Sequence, residues 1–131
     1  MSIVMQKLTP VLMVAAIEPC LEFWERLGFQ NVAQVPHGEH LGFVILVKDS
    51  VEIMYQSRAS VEQDLPSLAR SPMGGSVLFI EVEDLDAVIG LLGDAPVLQP
   101  RRTTLYGMEE IAVREPAGNA VTFAMKTKVE G

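Results

Sequence analysis

Two histidines, one cysteine and a pair of adjacent arginines are the residues whose types and spacing invite a chemical reading. His37 and His40 flank a glutamate in His37-Gly38-Glu39-His40, a spacing that could serve a metal ion if it lay on a helix. A glycine interrupts it inside a stretch that reads as a hairpin turn, so a polar turn with solvent-facing side chains is the expectation. Cys20 sits in a helical pattern with no base close in sequence, and it reads as a small buried side chain rather than a nucleophile. As the single cysteine it can form no internal disulfide, and no Cys-rich metal motif is possible. Arg101-Arg102 could hold a carboxylate or phosphate, although a solvated loop pair needs no such role. Neither a glycine-rich phosphate loop nor a Ser/His/Asp or Cys/His set is present.

The elements that must position these residues come twice. Val11-Leu12-Met13-Val14, with Ile17, Leu21, Phe23 and Trp24 behind it, returns 68 residues later as Leu78-Phe79-Ile80-Glu81-Val82, followed by Leu85, Ile89, Leu91 and Leu92. Val14 thus matches Val82, and Ile17 matches Leu85. Each copy is an apolar run of strand length that changes to apolar positions three to four apart, the helical period. The halves also close alike, Val47 to Met54 resembling Val113 to Phe123.

The patterns predict a strand over 9–14, a helix from Glu18-Pro19 to Leu27 stopped by Gly28, and strands over 29–35, 41–47 and 51–56. The polar stretch 58–73, punctuated by Pro66 and Pro72, predicts a linker with a short helix over 61–70. The second half then predicts a strand over 76–82, a helix over 85–92, a strand over 97–99, an irregular segment over 101–107, and strands over 109–114 and 120–125. Pro116-Ala117-Gly118-Asn119 supplies the turn before the last strand. The expectation is a single α+β domain over 1–131, built of two tandem βαβββ modules at about 7–57 and 75–127 with a linker at about 58–74.

The bulk composition agrees. A chain of 131 residues, 49% hydrophobic and 21% charged, suits one soluble domain. No segment approaches the roughly 20 apolar residues that span a bilayer, and the start shows no secretory leader pattern. A cytoplasmic protein without a membrane partner is expected. The net charge of −7 opposes nucleic-acid binding and favours cationic guests or simple solubility.

Phe23-Trp24-Glu25-Arg26-Leu27-Gly28-Phe29, Val82-Glu83-Asp84-Leu85-Asp86 and Tyr106 through Asn119, in this order inside a duplicated plan, resemble the vicinal oxygen chelate superfamily. That superfamily includes glyoxalase I, bleomycin resistance proteins, fosfomycin resistance enzymes and extradiol dioxygenases. The resemblance implies the glyoxalase/bleomycin resistance fold, with curled mixed sheets forming a cup that a second subunit often completes. It also implies metal ligands on the first and last strands of each module, which here fall on Thr9, Glu52, Val77 and Thr122. Thr9 and Val77 are 68 apart, and Glu52 and Thr122 are 70 apart.

A catalytic divalent ion takes about three imidazole, carboxylate or thiolate ligands, and of those four residues only Glu52 qualifies. No metal site and no cofactor are therefore expected, and glyoxalase or dioxygenase chemistry is disfavoured. Glu52 alone in an apolar cup would have a raised pKa and serve as a general base or hold a cationic group. Alternatively it is tied by hydrogen bonds to Thr9 or Thr122. Strand alternation adds Val11, Met13, Met54, Gln56, Phe79, Ala120 and Ala124 to the concave face, and the resemblance puts Arg102, Tyr106 and Met108 at its mouth. The reading that follows is a metal-independent small-molecule binding protein of the bleomycin-resistance type, holding a bulky aromatic or cationic ligand in an apolar cup at the interface of a homodimer. The alternatives are a lyase, isomerase or dioxygenase using Glu52 as base or metal ligand, and an interaction module with a vestigial cup.

Overall fold

The computed structural model describes residues 2–127, and these form two four-stranded sheets of identical plan. The first holds β1 (Val11–Val14), β2 (Gln30–His37), β3 (His40–Lys48) and β4 (Val51–Ser57), with α1 (Glu18–Arg26) between the first two strands. The second holds β5 (Val77–Glu81), β6 (Val97–Thr103), β7 (Met108–Arg114) and β8 (Ala120–Lys126), with α3 (Leu85–Leu91) in the same place. Strand order is β1-β4-β3-β2 in one and β5-β8-β7-β6 in the other. In each, the first and last strands are parallel and the remaining pairs antiparallel. The sheets remain separate, so the expected cup is not closed within the chain. No helix among the described residues is long and apolar enough to cross a membrane.

Local chemistry explains the elements. Pro19 and Glu18 open α1, where a missing N–H and a negative charge are both tolerated. The Glu18 carboxylate also accepts from the Leu41 backbone N–H at 2.7 Å, and this bond lowers its pKa. Gly28, at φ 94°, lets the chain leave the helix, because the left-handed region is open to glycine without penalty. α3 begins on Asp84, whose side chain accepts from the Ala87 N–H at 3.1 Å.

Alternation then divides the strand faces. Leu12, Val14, Val44, Leu46, Val121 and Phe123 are buried, together with Ile17, Cys20, Trp24 and Leu85 from the helices and the residues before them. Removing these apolar surfaces from water is the main favourable contribution to folding.

Proline and capping move some boundaries from those the sequence suggests. β2 continues through Pro36 and β6 through Pro100, each beside a register shift. Both are outer strands, where a residue without an N–H interrupts no shared ladder. Arg101 and Arg102 consequently lie in a strand and not in an irregular segment. α2 (Arg58–Asp64) starts earlier than 61 because Ser57 caps it, accepting from the Ser60 N–H at 3.2 Å. Pro66 then begins a separate 3-10 turn, Pro66–Leu68.

A buried polar relay joins the modules. Trp24 Nε1 donates to the Tyr55 hydroxyl at 2.8 Å, and that hydroxyl donates to Glu115 Oε2 at 2.5 Å. The other carboxylate oxygen of Glu115 accepts from the Asn119 backbone N–H at 2.7 Å. Phe23 and Phe29 both pack edge-on against Trp24, at ring separations of 5.0 and 4.9 Å. Tyr55→Phe would strand the indole N–H and one carboxylate oxygen in a buried place. Its expected cost is about 3 kcal/mol, read as a lower urea midpoint with unchanged slope; an unchanged midpoint would show that the relay does not hold the modules.

Candidate functional site

Ser57 ends β4 and caps α2, so the chain folds back at once over the open face of the first sheet. A cavity of about 410 Å³ lies between them, within the size range of small-molecule sites. Val11, Met13 and Phe43 line it from the sheet, and Val61, Leu65 and Leu68 from α2 and the following turn. The rest of its wall includes Pro72, Met73 and four polar residues, Gln56, Ser71, Ser76 and Asn119. None of the lining residues is charged.

Two of the polar side chains are fixed by bonds of their own. Gln56 Nε2 donates to Ser60 Oγ at 3.1 Å and to Asp64 Oδ2 at 3.3 Å. Asn119 Oδ1 accepts from the Ser76 N–H at 3.1 Å. Its Nδ2 is buried without a partner.

Of the residues proposed from sequence, Val11, Met13 and Gln56 meet in this cavity, whereas the others lie elsewhere. Glu52 is not alone: Lys7 Nζ stands 2.5 Å from Oε2, and Thr9 Oγ1 makes a long 3.4 Å bond to Oε1. Its side chain is 18% exposed. Val77 and Phe79 are exposed on β5, and Thr122 lies opposite Phe79 on β8. Met54 is on β4 opposite Val11. Arg102 and Tyr106 both engage Glu110, at 3.1 and 2.8 Å, a buried carboxylate to which sequence reasoning gave no role. The bond to Glu110 raises the pKa of the Tyr106 hydroxyl. Met108 is buried at the start of β7. His40 is largely exposed, with Nδ1 3.7 Å from Glu18 Oε1.

The sheet registers also correct the internal correspondence. Val11 faces Met54 and Phe79 faces Thr122, so matching Val11 with Phe79 at 68 residues matches Met54, not Glu52, with Thr122. Glu52 corresponds to Ala120. Either alignment leaves one carboxylate among the four places, and it already holds Lys7. Among the described residues no three His, Cys, Asp or Glu side chains gather where they could hold a metal ion. This donor set does not fit a catalytic divalent ion.

Sequence reasoning missed the cavity's second wall, because Val61, Leu65 and Leu68 are scattered through a polar segment whose helical period is broken by Pro66. It took Asn119 only as a turn residue. The apolar spacing from Val61 to Leu68 was the available signal.

No protein-family model matches the chain, and no curated protein matches it. Solved structures do. One is a glyoxalase/bleomycin resistance protein/dioxygenase from Nocardioides, 18% identical, covering 99% of this chain and 89% of its own, with a TM-score of 0.74. Another is TnmS3, an antibiotic binding protein from Streptomyces, 17% identical, covering 96% and 100%, with a TM-score of 0.71. A glyoxalase/bleomycin resistance protein from Catenulispora acidiphila matches at 17% identity over 90% and 96%, with a TM-score of 0.64. The chain therefore has the glyoxalase/bleomycin resistance fold, as the sequence resemblance implied.

Cys20 lies in the buried layer of α1, and its thiol pKa is pushed up to about 12, first by burial and then by the Glu115 carboxylate. At pH 8 the reactive thiolate is thus nearly absent from the folded protein. A disulfide exchange reagent at that pH should modify Cys20 only after denaturant is added; prompt modification of the native protein would contradict the burial.

Proposed function

We propose that the protein binds a bulky, mainly apolar small molecule in the cavity between β1, β4 and α2, without a metal ion, and acts by sequestering it. The observation that carries this reading is the uncharged, largely apolar cavity of about 410 Å³, whose Met13 and Met73 can repack around guests of different shape. The absence of any donor set for a catalytic metal among the described residues and the antibiotic-binding description of TnmS3 both support it. A cationic guest, favoured by net charge alone, finds no carboxylate in the wall. Glu52 as a general base is disfavoured by its ion pair with Lys7. A homodimer would be a natural way to cover Val77 and Phe79, which stand two residues apart on one face of β5 and are exposed.

The test is a thermal-shift screen against aromatic antibiotics. A ligand at a hundredfold excess over its Kd adds about 2.7 kcal/mol, a rise of several degrees. Met13→Trp, which fills the cavity from the sheet side, should abolish the rise, while Glu52→Gln should leave it intact. A binder that ignores Met13→Trp would place the site elsewhere. Elemental analysis of protein purified without chelator should give substoichiometric zinc, nickel, manganese and iron; one equivalent of any of them would overturn the metal-independent reading.

A further inference from the structure

We propose that the cleft between α3 and the turn joining β3 to β4 is a second binding site, separate from the cavity above, which takes an amphiphilic organic cation. Its cause is a mismatch between the two halves. Lys48-Asp49-Ser50 and Arg114-Glu115-Pro116 hold the same place in the duplicated plan, and the sheet registers match Tyr55 with Phe123. Glu115 is buried because the Tyr55 hydroxyl is there to donate to it. Phe123 has no hydroxyl to offer Asp49, and a carboxylate without a donor stays in water. The Asp49 side chain is accordingly 82% exposed, and a space of about 630 Å³, lined by both Asp49 and Phe123, remains open.

The lining divides by chemistry. Leu27 and Val51 from the first module meet Val88 and Leu91 from one stripe of α3, and none of the four is fully buried. Around this apolar floor stand Asp49, Glu81, Glu83 and Asp84, four carboxylates against the single Lys48. Lys48 lies 3.6 Å from Asp49, and Asp84 gives one oxygen to the Ala87 N–H. Glu81 and Glu83 have no salt-bridge partner among the described residues. In the equivalent hollow between α1 and the turn joining β7 to β8, Arg26 and Arg114 offset the acidic side chains. Here the negative charge is uncompensated, and it attracts a cation into a concave, partly apolar space. A guest with an apolar body and one ammonium group suits both surfaces. An anion of the same shape is repelled, and a neutral molecule leaves the carboxylates without a partner.

Calorimetry with the 2-naphthyltrimethylammonium ion, neutral 2-acetonaphthone and the 2-naphthalenesulfonate ion tests the site. The cation should bind the unaltered protein and Met13→Trp, whose first cavity is filled, with the same affinity. In Met13→Trp it should bind roughly three- to tenfold tighter than the ketone, with the sulfonate weakest. Raising the salt from about 20 to about 300 mM should weaken the cation several-fold. Ala87→Trp, an exposed position that fills the cleft from α3, should abolish its binding. The exposed pair Glu81→Gln/Glu83→Gln should weaken it roughly three- to tenfold. Loss of the cation in folded Met13→Trp would put it in the first cavity and overturn the inference. No binding of the cation, an affinity indifferent to salt, or full affinity in folded Ala87→Trp would overturn it too. If either tryptophan variant does not fold, the double glutamine protein decides alone, and unchanged affinity there sinks the proposal.

Discussion

A carboxylate buried to 1% exposure is the constraint on which the rest of this structure turns. Glu115 has no cationic partner within salt-bridge distance among the described residues, and burying a charge without compensation is costly. Compensation comes from two hydrogen-bond donors, one from each module: the Tyr55 hydroxyl of the first and the Asn119 N–H of the second. The modules cannot separate without leaving the Tyr55 hydroxyl and one oxygen of Glu115 unpaired. The relay also raises the pKa of the Tyr55 hydroxyl, by burial and by the adjacent Glu115 charge, so Tyr55 stays a donor. Trp24 completes the chain and ties α1 into the same joint.

That joint and the cavity share parts. Tyr55 and Gln56 are consecutive on β4, one pointing to the helix layer and one to the open face, as strand geometry requires. Asn119 gives its backbone to Glu115 and its side chain to the cavity wall. Ser57, directly after Gln56, turns the chain into α2 and so places the apolar lid. The site is thus positioned by the same few residues that hold the halves together, and Thr9, Glu52, Val77 and Thr122, where the resemblance would put metal ligands, are not among its lining residues.

The sequence disclosed this unevenly. The duplicated plan and the two faces of β1, β4, β5 and β8 were legible, because apolar periodicity is a direct imprint of burial. Val11, Met13 and Gln56 followed from alternation alone. The Tyr55–Glu115 contact was not legible, since its partners stand 60 residues apart and neither type announces the other. Glu110 was hidden likewise: Arg102 and Tyr106 suggested an anion site at a mouth, but the anion they hold is a side chain of the neighbouring strand. The limits of β2 and β6 failed where proline was taken as a terminator, although an outer strand tolerates it, whereas the helix expected over 61–70 ran through Pro66 and in fact spans Arg58–Asp64.

Those outer strands carry a wider consequence. Pro36 and Pro100 break the hydrogen-bonding rims of β2 and β6 beside register shifts, and the opposite rims are short, β1 of four residues and β5 of five. A neighbouring chain therefore finds no long, regular rim on which to add a strand. Copies of this protein can meet through their faces, but growth of a continuous intermolecular ribbon is blocked at every margin. The net charge of −7 adds to this by keeping copies apart.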